Sequence, residues 1–100
     1  MRSGYRIEWT EEASLCLEQV IEYLQTNWGE KELRDFARKL DKRLKLIIIK
    51  PKLFPKSRKR GVIRRSVLTK QVTIYYKVSK DTVLLLSLFD NRQNPNKQPS

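Results

Sequence analysis

Histidine is absent from the chain and cysteine occurs once. Without an imidazole, Ser-His-Asp and Cys-His nucleophile pairs are excluded, and the commonest protein metal ligand is missing. The lone Cys16 cannot close an internal disulfide, which fits a reducing cytoplasm. With no base to draw off its proton, it reads as a small helix residue rather than a nucleophile. No apolar run reaches the roughly 20 residues of a membrane span. The opening MRSGYRIEW has none of the apolar core of a secretion signal. The expectation is a cytoplasmic protein with no membrane partner, no metal and no cofactor.

Acidic residues are missing from one long stretch. Residues 1–41 carry six basic and nine acidic side chains, residues 42–80 fourteen basic and no acidic ones, and residues 81–100 two of each. The net charge of +11 therefore comes from the middle of the chain. Its densest part, KSRKRGVIRRSVLTK at 56–70, has seven Lys or Arg in fifteen positions. A surface that only solvates normally interleaves both signs. An unbroken basic block points instead to an anionic partner, either a nucleic acid or an acidic protein. The residues expected to make that contact are Lys56, Arg58, Lys59, Arg60, Arg64, Arg65, Lys70, Lys77 and Arg92.

One hundred residues suit a single domain with a small core. The apolar runs LKLIII and TVLLLSLF argue against disorder. Tyr5-Arg-Ile-Glu-Trp9 alternates like a half-buried strand. Thr10 followed by Glu11 and Glu12 is a helix start. Ala13, Leu17, Val20, Ile21 and Leu24 then keep helical spacing to about residue 26. A second helix is predicted over 30–49 from the stripe Leu33, Phe36, Ala37, Leu40, Leu44, Ile47 and Ile48. Pro51 ends it. At the turn between the helices, Trp28 is expected to pack over the hairpin end and Gly29 to adopt a left-handed dihedral.

Residues 52–60 read as loop. Strands follow at 62–68, 72–78 and 82–89, with connections too short for anything but antiparallel hairpins. VLLLSLF is apolar on both faces, so the last strand should lie centrally. The polar tail is expected to fray beyond Pro95. The fold class is α+β, in the order β-α-α-β-β-β, with the helical hairpin covering one face of an antiparallel-dominated sheet.

Arg64 and Arg65 are adjacent in a strand and must point to opposite faces. The one facing the helices needs an anion partner or the sheet edge, because an unpaired buried guanidinium is costly. Cleavage of RNA would need a base, an acid and charge stabilisation, which without histidine fall to Lys, Arg or Tyr. Arg64, Arg65, Lys70, Tyr75, Tyr76, Lys77 and Arg92 could supply such a set. The competing reading is of core tyrosines and surface cations, and the balance is against an enzyme. Direct reading of DNA has little support. No helix-turn-helix or zinc-finger spacing is present, and the cations fall mainly in a loop and strands.

Taken together, YRIEWTEEA, YLQTNWG, the proline after the second helix, RRSVLTKQVTIYYKV and the final DNRQNP resemble the RelE/ParE superfamily. These are toxins of type II toxin–antitoxin, or plasmid stabilisation, modules. The resemblance covers nearly the whole chain and rests on order and spacing. It implies two helices on a mostly antiparallel sheet, a cognate antitoxin and a toxin–antitoxin hetero-oligomer. RelE-like members are ribosome-dependent mRNA endonucleases, whereas ParE-like members inhibit DNA gyrase. The long helices joined by a WG turn look more like ParE. Under the RelE alternative, Arg64 or Arg65 and Arg92 match basic positions of the nuclease, but no Tyr or His follows Arg92.

Overall fold

Thr10 sets the entry to the helical half. Its Oγ1 accepts the Ala13 N–H at 3.1 Å, satisfying one of the orphan donors of a helix start, and also donates to the Leu85 carbonyl at 2.8 Å. One hydroxyl thus caps α1 (Glu11–Asn27) and ties it to the sheet. After Trp28 and Gly29 the chain reverses into α2 (Glu30–Ile49). The structure is a computed structural model and describes residues 5–57 and 61–91. The strands are β1 (Arg6–Trp9), β2 (Ile63–Val67), β3 (Val72–Ser79) and β4 (Thr82–Asp90).

The sheet order is β1-β4-β3-β2, with β1 parallel to β4 and the other pairs antiparallel. The predicted β-α-α-β-β-β order is the order found, and the helices cover one sheet face. β4 is central, as its two-sided apolar character requires. One face of the sheet carries Ile7 and Trp9 from β1, Val83, Leu85 and Leu88 from β4, and Val72, Ile74 and Tyr76 from β3. These pack against Ala13, Val20 and Leu24 of α1 and Phe36, Leu40 and Ile47 of α2. Of the predicted α2 stripe only Ala37 is exposed. Tyr75 pairs with Ser87 but Tyr76 with Leu85, so Leu86 bulges out of the ladder. The Thr10 hydroxyl reaches the carbonyls at this irregularity.

The turn between the helices departs from expectation at Trp28. Trp28 is 60% exposed, not packed over the hairpin end. Gly29, at φ 157° and ψ −175°, does have the positive φ expected of it, in a region that L side chains rarely adopt. The Trp28 and Gly29 N–H groups both donate to the Leu24 carbonyl, so α1 closes within two residues and leaves the indole outside.

Candidate functional site: a divided cationic surface

Strand pairing separates the two adjacent arginines. Arg64 sits opposite Tyr76 and so faces the helix side. Arg65 sits opposite Tyr75 on the side away from the helices, one pair along from Lys77, which opposes Ile63. Arg64 solves its burial problem at the sheet edge. Its Nη1 donates to the Phe54 carbonyl at 2.8 Å and, more weakly, to that of Lys52 at 3.5 Å. The loop supplying those carbonyls folds back along β2. Lys56 bridges Arg64, Arg65 N–H donates to the Pro55 carbonyl and Ser57 N–H to the Ile63 carbonyl. Further along the same edge Arg43 of α2 donates to the Ser66 hydroxyl at 2.6 Å and the Val67 carbonyl at 2.8 Å. Its guanidinium lies 5.4 Å from the centroid of the Phe54 ring.

The remaining cations fall into groups. At the end of the sheet where β1, β2 and β4 begin and β3 ends, Lys52, Lys56, Arg64 and Lys80 line a cleft of about 380 Å³ with Tyr5, Val62 and Val78. Beside α2, Lys39, Lys42 and Arg43 border a groove of about 300 Å³ with Leu46 and Leu68 at its apolar wall. A neighbouring hollow of about 210 Å³ continues past Lys39 to Leu24, Phe36 and Thr69. Lys70 is exposed in the β2–β3 turn at the far end of the sheet, where its carbonyl accepts from Asn91. Arg58, Lys59, Arg60, Arg92 and the tail beyond Pro95 lie outside the described residues.

Ion pairs do not neutralise this surface. Those among the described residues join Arg6 to Asp81, Lys31 and Arg38 to Asp35, and Lys45 to Asp41. From Lys50 to Lys80 no described basic side chain has a carboxylate within 4 Å, a direct result of the missing acids.

The tyrosines are not free to act as bases. Tyr76 is 0% exposed and donates its hydroxyl to the Pro51 carbonyl at 2.6 Å. Burial pushes its pKa up to about 12, with the Arg64 charge pulling in the opposite direction. Tyr75 is 2% exposed on the other face. Arg64, Arg65, Lys70 and Tyr75 therefore do not converge on one point: Arg64 is on the helix side, Arg65 and Tyr75 are on the opposite side, and Lys70 is at the distal turn. Cys16 is half-buried beside Glu12, and burial raises its pKa with Glu12 adding to the effect. Among the described residues no group of three or more Cys, Asp or Glu side chains is placed to hold a metal ion, and no helix is long and apolar enough to cross a membrane. Sequence reasoning did not single out Tyr5, Lys52 or Lys80, which meet only through the sheet topology.

The sequence matches no protein-family model, and no curated protein matches it. Solved structures do resemble the fold. A chain from the chromosomal ParDE TA system of P. aeruginosa superposes with a TM-score of 0.72 at 11% identity, covering 86% of this chain and 95% of that one. A copper-bound mutant toxin from Helicobacter pylori gives 0.57 at 14% identity, covering 90% and 98%. A chain of the E. coli DinJ-YafQ toxin–antitoxin complex gives 0.57 at 14% identity, covering 91% and 97%. At these identities the likeness is one of fold.

Proposed function

We propose that this chain is the toxin subunit of a type II toxin–antitoxin pair, ParE-like, which inhibits DNA gyrase through protein contact and is neutralised by a cognate antitoxin. The reading draws its support from a toxin fold carrying a cationic surface without carboxylate partners from Lys50 to Lys80 among the described residues. The closer superposition on the ParDE chain than on the DinJ-YafQ chain leans the same way. So does the state of Tyr76, whose committed hydroxyl and raised pKa unfit it to take a proton from RNA at neutral pH.

The antitoxin would present a segment that folds on binding. Its apolar side chains would enter the groove beside α2 at Leu46 and Leu68, and its acids would meet Lys39, Lys42 and Arg43. Two assays run side by side test the proposal: gyrase supercoiling, and ribosome-dependent cleavage of a translated message. Inhibition of supercoiling without cleavage is the expected result. Cleavage that disappears in Arg65→Ala would replace this reading with a RelE-like endonuclease. Neither activity would leave a binding module without toxicity.

A further inference from the structure

The cleft at the strand-starting end of the sheet belongs to the cationic surface that supports the proposed function, but no partner contact is assigned to it there. We propose that it binds an oligophosphate, of the kind a nucleoside triphosphate carries. Lys52, Lys56, Arg64 and Lys80 converge on it, and among the described residues no carboxylate lines it and none of the four has a carboxylate partner. The next acid along the chain, Asp81, is turned toward Arg6 and Thr82 instead. The C-terminus of α2 approaches the same end, where the Ile48 carbonyl accepts the Tyr5 N–H. A helix macrodipole amounts to only about half a unit charge, so more than three of the four positive charges stay uncompensated. One carboxylate would neutralise one of them. A triphosphate brings roughly four negative charges in a compact group.

Two features indicate that the cations are placed rather than merely present. Lys80 has φ 55° at the first position of the two-residue turn between β3 and β4. That left-handed backbone favours glycine, yet the turn holds a lysine that lines the cleft. Arg64 is oriented by the Phe54 and Lys52 carbonyls through Nη1, and its other nitrogens have no protein partner among the described residues. Tyr5, with Val62 and Val78, adds the apolar and aromatic surface on which a nucleobase packs.

The test is calorimetric titration of the full chain with ATP and, separately, with inorganic triphosphate at about 0.15 M ionic strength. Saturable one-to-one binding is expected. It should weaken about tenfold in Lys52→Ala and in Lys80→Gly, and by less than about twofold in Arg65→Ala and Lys77→Ala on the face away from the helices. Lys80→Gly relieves the backbone, so its thermal midpoint should not fall and lost binding could not be ascribed to unfolding. Tighter binding of ATP than of triphosphate, reduced to parity by Tyr5→Ala, assigns the ligand as a nucleotide. Equal binding assigns it as a phosphate chain alone, and either result upholds the site. Absence of saturable binding, equal weakening by all four substitutions, or displacement of ATP by a short single-stranded oligonucleotide or an acidic peptide at lower concentration would overturn it.

Discussion

Replacing Tyr76 with Phe removes one oxygen from the centre of the molecule and leaves the ring in place. The lost hydroxyl donates to the Pro51 carbonyl at 2.6 Å, the contact that fixes the chain just after α2. Pro51 is itself buried, so its carbonyl would be stranded at a cost of about 1–3 kcal/mol. Taking about 2 kcal/mol, and about 4–8 °C per kcal/mol for a domain of this size, the midpoint should drop by roughly 8–16 °C at neutral pH. Alkali should then shrink the difference. An unfolded tyrosine ionises near pH 10, whereas folded Tyr76 keeps its proton to about 12. Below pH 10 both states are protonated and nothing changes. Between these values the unfolded chain has lost a proton that the folded chain still holds, so unfolding becomes easier by about 1.4 kcal/mol per pH unit. The wild type loses this stability and the phenylalanine variant has no such group. A gap of about 2 kcal/mol should therefore close near pH 11.5. Urea titrations at several pH values read both quantities. A variant as stable as wild type at pH 7, or a gap that stays constant to pH 12, would refute the account of this hydrogen bond and its effect on ionisation.

Thr10→Ala removes the α1 cap and the donor to the Leu85 carbonyl, and should cost about 1–2 kcal/mol, most of it recovered by Thr10→Ser, in thermal melts. Arg43→Ala breaks the bonds to Ser66 and Val67 and the contact over Phe54, and should cost about 2–3 kcal/mol in chemical denaturation. Arg43→Lys should restore only part of this, because an ammonium lacks the planar fork. Ser57 is 4% exposed and its hydroxyl has no partner among the described residues, so Ser57→Ala should leave the midpoint unchanged or raise it by up to a few degrees.

Both helices were legible because the information that makes them is local. The Thr10 cap, the apolar spacing and Pro51 operate within a few residues, and α2 occupies the predicted span. β4 was legible as central because residues apolar on both faces have few other places to go. Alternation also required Arg64 and Arg65 to diverge, and required the inward one to find either an anion partner or the sheet edge. It could not say which was inward, since that depends on pairing with β3. Trp28 was misjudged because nothing in the turn distinguishes an indole folded over the helices from one left outside. The cleft was invisible for a stronger reason. Tyr5, Lys52 and Lys80 come from three distant segments, and they meet only because β1 runs parallel to β4 and the loop after α2 doubles back.

That doubled-back loop has a consequence for how the molecule meets other chains. A bare outer strand is a template on which a stranger's backbone can zip up and seed in-register growth. Along β2 the outward groups of Ile63, Arg65 and Val67 are already taken by Ser57, Pro55 and Arg43. A visitor at this rim is left to bargain with side chains, above all positively charged ones, so recognition there is by charge and shape rather than by peptide-to-peptide stitching. It also keeps identical copies apart: each would present the same cations, without carboxylate partners among the described residues, to the next.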